Sequence, residues 1–126
     1  MTDVIHKTID SIEAYSGPHA IEGIQFRHAR RALGVTAFGM NVLELAPHCS
    51  GYPDHDHAAD GQEEVYVVLD GEGELQLAGR EPVSVGRGSL VRVPPELKRK
   101  FVTRDSGLTL LALGGTPGKA YEVKGF

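Results

Sequence analysis

The chain has a single cysteine, Cys49, and no tryptophan. One cysteine excludes an intrachain disulfide framework and is compatible with a reducing compartment. Within Pro47-His48-Cys49-Ser50-Gly51 it could serve as a nucleophile or soft ligand, although a lone cysteine in such a loop is more often incidental. No apolar run approaches the roughly 18 residues of a membrane span, and Met1-Thr2-Asp3-Val4-Ile5-His6 lacks a signal-peptide core. The expected setting is cytoplasmic, with no membrane partner. Positive charge is also scarce. Thirteen Lys and Arg against 17 Asp and Glu give a net charge of −4, which argues against a generic nucleic-acid binder. A local basic cluster of Arg87, Arg92, Lys98, Arg99 and Lys100 does not change this, since Lys98 and Lys100 read as a solvated strand face.

Long helical periodicity is missing as well. What the chain has instead is 16 glycines punctuating short β-branched runs, and 126 residues leave room for one domain with one core. Strands are expected over Ile24 to Arg31, Val35 to Leu45, Glu64 to Leu69, Leu75 to Leu77, Val83 to Val85, Leu90 to Val93, Phe101 to Thr103 and Leu108 to Leu113. Asp70-Gly71-Glu72-Gly73, Gly79-Arg80-Glu81-Pro82 and Gly86-Arg87-Gly88 read as turns, and Pro94-Pro95 stops a strand. Asp3 to Tyr15 holds a short strand or a helical turn, and Tyr121 to Phe126 an ordered or frayed tail. This pattern suits an all-β sandwich or barrel better than an α/β fold.

Within the polar loop from Ala46 to Gly61, His55-Asp56-His57 carries the strongest chemical signal. Residues i and i+2 of an extended segment share a face, so both imidazoles point one way. If Asp60-Gly61 turns the chain back, Glu64, at the start of the best strand, can face the pair, and all three converge on one metal. Two solvated loop histidines are the bland alternative. His48 is a conceivable replacement ligand, while His6, His19 and His28 have no ligand spacing and read as surface or core residues.

Gly51, His55, His57, Glu64 and Gly71 resemble the first motif of the cupin superfamily, and Gly88, Pro94, Arg99 and Thr103 fall at the spacing of the second. The resemblance covers roughly residues 40 to 113, within a motif-bearing barrel of about 35–115 in a single domain of 1–126. It implies an antiparallel jelly-roll β-sandwich or barrel enclosing a cavity, and a homodimer. The departures are specific. Glu96 stands for the second motif's later glycine, Arg99 for its histidine and Thr103 for its asparagine; Gly51 sits closer to the histidines and Glu64 further from them than the pattern has it. A cupin site usually resembles three histidines and a glutamate around iron, manganese, nickel, copper or zinc. Here His55, His57 and Glu64 remain, a composition that suits non-haem iron(II) or a zinc ion with an open position.

Alternation in Lys98-Arg99-Lys100-Phe101-Val102-Thr103 places Arg99 on the face of Phe101, the residue that most needs burial. Arg99 is therefore expected to point inward. A +1 charge about 5 Å from a +2 ion costs on the order of 6 kcal/mol at an effective dielectric near 20, so Arg99 swings away, engages an anion, or pairs with Glu64 in place of a metal. Tyr66, on the face of Glu64, is the best further cavity residue, with simple core packing as the alternative. Two classes stay open: a metal-binding cupin enzyme acting on a small, anionic metabolite with Arg99 and Tyr66 in its substrate site, and a metal-free small-molecule binding module. A purely structural barrel is a third. Fold alone selects no reaction.

Overall fold

The structure, a computed structural model, describes residues 3–123. Met1, Thr2 and the final part of the expected tail, 124–126, lie outside the described residues. Short β-branched runs give seven strands among the described residues: β1 (Ile24–Arg27), β2 (Gly39–Leu45), β3 (Glu63–Leu77), β4 (Val83–Gly86), β5 (Leu90–Val93), β6 (Arg99–Val102) and β7 (Leu108–Gly115). All pairings are antiparallel. Strands β1-β2-β7-β3-β5 lie side by side in one sheet, and β4-β3-β6 in the other. This is the expected antiparallel β-sandwich. No helix among the described residues is long and apolar enough to cross a membrane.

The two sheets share β3, and here the sequence reading needs correction. Asp70-Gly71-Glu72-Gly73 is not a turn, and the expected strands on either side of it are one strand of 15 residues. Its pairing with β7 shifts register between Val68 and Asp70. Such an irregularity bends a strand and increases its twist, which lets its first half pair with β5 and its second with β4 and β6. Gly71 makes the bend possible: its φ is +82°, and a Cβ there would lie 1.9 Å from the Gly107 carbonyl oxygen.

A second correction concerns Ile24 to Arg31. The strand stops at Arg27, and Ala29–Leu33 forms a short helix, α1. Ala, Arg and Leu are strong helix formers, and Gly34, in the left-handed region at φ 72°, closes the helix with its N–H on the last carbonyls. The expected strand from Val35 accordingly begins only at Gly39. Ile9–Ser11 is a single 3-10 turn, in line with the helical-turn alternative for the N-terminal segment.

Alternate residues fill the space between the sheets. Tyr66, Leu75, Phe101 and Leu110 have no exposed surface, and the Tyr66 and Phe101 rings meet edge to face with centroids 4.9 Å apart. Along β7, Leu108, Leu110 and Ala112 point into this core. Two further inner positions, Gly39 and Gly114, are paired with each other and carry no side chain. Gln62 and Tyr121 close in over them beside Glu64, which pairs with Gly114: a Cβ at Gly114 would lie 2.9 Å from Gln62 Oε1, and one at Gly39 3.2 Å from the Tyr121 hydroxyl.

Candidate metal centre and cavity

Backbone hydrogen bonds tie the histidine loop to the segment leading into β6. The His55 N–H donates to the Arg99 carbonyl at 3.1 Å, the Arg99 N–H to His55 O at 2.9 Å, and the His57 N–H to Pro95 O at 2.7 Å. The loop then turns through Gly61, at φ +70°, whose N–H returns to His57 O. The chain thus reverses at Asp60-Gly61, and Glu64 comes round to face both rings. His57 Nε2 lies 3.1 Å and His55 Nε2 3.7 Å from Glu64 Oε1. One ligand atom from each of His55, His57 and Glu64 falls within 4.8 Å of the others, close enough to bind one metal ion.

The far side of each ring is also held. His55 Nδ1 sits 3.0 Å from the Pro53 carbonyl, and His57 Nδ1 3.2 Å from the Asp60 carboxylate. Both partners can only accept, so Nδ1 carries the proton and Nε2 of the neutral ring presents a lone pair. Such outer partners fix the tautomer and orientation of metal-ligating histidines. Asp60, which the sequence reading used only as a turn residue, supplies one of them. Two lone pairs facing a carboxylate oxygen demand a cation between them. At His57 a proton meets that need: hydrogen bonding to Glu64, against the opposing effect of burial, and the charges of Glu64 and Asp60 raise its pKa above the ordinary 6.5.

Glu64 collects further partners. The Tyr66 hydroxyl donates to Oε1 at 2.7 Å, and Arg99 Nη1 stands 3.6 Å from the same oxygen. Burial pushes the Glu64 carboxyl up, but the imidazoles of His55 and His57, the Tyr66 hydroxyl and the His57 charge outweigh it and hold it well below the usual carboxylate range. Burial drives the Tyr66 phenol far above its ordinary value, and pushes that of neighbouring Tyr52 up to about 12. Both stay neutral donors at any ordinary pH.

Arg99 points inward, as alternation with Phe101 requires, and is 0% exposed. Its Nη2 donates to Pro94 O at 3.0 Å, while Nε and Nη1 are buried with no hydrogen-bond partner. Thr103, at the position of the motif's asparagine, accepts from the Cys49 N–H and donates to Ala46 O, which pins the start of the histidine loop. His48 is elsewhere, exposed and 3.5 Å from Asp105.

The histidines and Glu64 line a cavity of about 650 Å³. Ile24, Phe26, Leu43 and Ala112 form its apolar wall, and Tyr15, His19, Arg30, Arg31 and Tyr121 lie along the same cavity. His28 also lines it; burial, with the charges of Arg31 and Arg30 adding to it, lowers its pKa. His19 and His28 are thus cavity residues rather than remote ones. Nothing in their spacing signals this, because the segment 15–31 meets the histidine loop only through the fold. Tyr66 and Arg99, both without exposed surface, stand behind Glu64 rather than in the cavity wall.

The sequence profile of the Cupin domain family matches residues 41–113, a stretch that contains both motifs and the three convergent ligands. The chain belongs to the cupin superfamily. Solved cupins share its fold over nearly the whole chain. A cupin protein from Bacteroides fragilis is 23% identical, with 90% of each chain covered and a TM-score of 0.63. A sugar phosphate isomerase from a cupin superfamily of Silicibacter pomeroyi is 24% identical, covering 90% of this chain and 77% of that one at a TM-score of 0.73. The polyketide cyclase RemF from Streptomyces resistomycificus is 22% identical, covering 99% and 88% at 0.69. Likeness at this level extends to the fold alone. No curated protein matches the sequence at a significant level.

Proposed function

We propose that this cupin holds a divalent transition metal on His55, His57 and Glu64 and acts on or binds a small anionic metabolite in the adjoining cavity. The observation that carries the reading is the orientation of the two rings. With Nδ1 of each engaged by an acceptor, both Nε2 lone pairs converge on one carboxylate oxygen. Two imidazoles and a carboxylate suit iron(II), manganese or zinc, with nickel and copper also compatible with imidazole ligands. A bound ion would supply Lewis acidity toward an anionic oxygen of the ligand.

The protein's own groups prepare that chemistry. Asp60 and the Pro53 carbonyl hold the rings in place. Tyr66 donates to Glu64 and fixes which oxygen faces the histidines. Arg99, fully buried behind Glu64 with two nitrogens lacking acceptors, projects positive charge toward the cavity and favours an anion there. In this reading Tyr66 and Arg99 act on the ligand through Glu64 and the local field. The protein is proposed to be a homodimer in solution; among the described residues β1 pairs with no strand but β2, its outer edge meeting only the Tyr15 N–H at Phe26 O, and so sparsely covered an edge calls for a partner.

A second reading has its own observation. Arg99 Nη1 and the Tyr66 hydroxyl both already address Glu64 Oε1, so the carboxylate can be satisfied without an ion in a metal-free binding module. Metal analysis of protein purified without added metal, followed by titration with Zn(II) and Mn(II), separates the two. Near-stoichiometric uptake that disappears in His57→Ala is expected. No uptake by the wild type would reject the metal reading.

A further inference from the structure

Glu64 and Asp60, the two carboxylates of the cavity among the described residues, are both engaged. Glu64 faces His57, Tyr66 and Arg99, and Asp60 faces His57 and Gln62. Arg30 and Arg31 line the same cavity, and neither has a carboxylate within 4 Å among the described residues. Arg30 is anchored through Nη1 to the Val35 carbonyl at 3.0 Å, which holds it at the end of α1. Arg31 is exposed. In a chain of net charge −4, two uncompensated guanidinium groups on one cavity are a local reversal of sign.

Besides these arginines and the His55/His57/Glu64 cluster, the cavity is lined by the apolar side chains of Ile21, Ile24, Phe26, Met40 and Leu43. An aromatic or aliphatic body would bury its surface favourably. We propose that the ligand is an organic carboxylate with an apolar body, its carboxylate bound by Arg31 and Arg30 and its other end presented to the metal cluster, an assignment that rests on this cavity being the ligand site. Planar guanidinium forks match a carboxylate in a way that a neutral amide cannot.

The test compares naphthalene-2-carboxylate with naphthalene-2-carboxamide by calorimetry, on metal-free and on Zn(II)-loaded protein. The two probes share a body and differ in charge. Wild type is expected to bind the acid at least about tenfold more tightly than the amide. Arg31→Ala should reduce that preference to about threefold or less, Arg31→Lys should retain only part of it because the charge stays but the planar fork is lost, and Arg30→Gln should weaken it. Because Arg31 is exposed and makes no contact with the ligand cluster, Arg31→Ala should leave Zn(II) affinity unchanged, which also reports an intact fold. Equal affinity for acid and amide, failure of both to bind, or a preference that survives Arg31→Ala would overturn the assignment. A wild type that takes up no metal yet shows the arginine-dependent preference would reject the metal reading and leave this one standing; metal uptake with equal binding of acid and amide would do the reverse.

Discussion

Replacing Arg99 by histidine asks whether the departure from the family pattern sets the metal affinity of this site. Arg99 and His55 exchange both backbone hydrogen bonds, at 2.9 and 3.1 Å, so their α-carbons sit about 5.5 Å apart and their side chains share a face. A new imidazole at this position would point toward the existing ligands. Two electrostatic effects favour metal binding in the variant. At an effective dielectric near 20, a +1 charge about 5 Å from a divalent ion is worth roughly 6 kcal/mol of repulsion. On the same scale the attraction of Arg99 Nη1 for Glu64, 3.6 Å away, is about 4 to 5 kcal/mol, and an ion must compete with it. The substitution also removes one of two donors to Pro94 O, leaving the Leu97 N–H at 3.3 Å, but that cost falls on the metal-free and metal-bound forms alike and cancels from the affinity. An increase of at least tenfold, about 1.4 kcal/mol, is a conservative floor. Arg99→Ala should give a smaller rise, since it removes the charge without adding a ligand. Competition against a chromophoric chelator measures all three proteins, with urea denaturation confirming that each is folded. Unchanged affinity in Arg99→His would refute the reasoning, because the gross electrostatic scale is several times the floor.

Other expectations follow from the same geometry. The raised pKa of His57 predicts opposite pH trends: stability of the metal-free protein, fully present below about 6.5, should decline as pH rises through the folded-state value, while Zn(II) affinity climbs over the same window as the competing proton leaves. Thermal melts and metal titrations from pH 6 to 9 that move together would contradict this. Gly71→Ala should destabilise the protein by roughly 2 to 5 kcal/mol, because its Cβ would meet the Gly107 carbonyl at 1.9 Å in a left-handed backbone; a urea midpoint equal to wild type would be incompatible with the bend described in β3. Light scattering at micromolar concentration should report twice the 13.6 kDa chain mass, and a purely monomeric species would reject the dimer.

What the sequence made legible follows from local rules. The His55-x-His57 pair, the reversal at Asp60-Gly61 and the start of a strand at Glu64 all lie within ten residues, where chain geometry restricts the outcome. Arg99 was readable for a related reason: one large neighbour, Phe101, fixes the parity of a short strand. The long β3 was not, because Gly71 and Gly73 carry the same signal whether the chain turns back or bends between two sheets; only the distant Gly107 backbone decides. The helix α1 was masked by Ile24-Gln25-Phe26, whose strand character runs directly into it, although Gly34 five residues beyond Ala29 marks its end. The cavity's other lining residues, among them Tyr15, His19, Arg31 and Tyr121, come from chain segments more than a hundred residues apart at the extremes and share no spacing that a linear reading could recognise.

The position of β3 in both sheets bears on how the molecule opens. Around Glu64 the strand lies hydrogen-bonded between β5 and β7, and further along between β4 and β6, so its amides have no edge from which to open and are expected to exchange only through global unfolding. Another part of the cavity lining is built differently. Tyr15 and His19 sit on an irregular segment joined to the barrel by bonds such as that from the Tyr15 N–H to Phe26 O, and its amides should exchange through much smaller, local openings. The cavity lining is thus expected to include one part that opens only with the whole fold and one that opens locally.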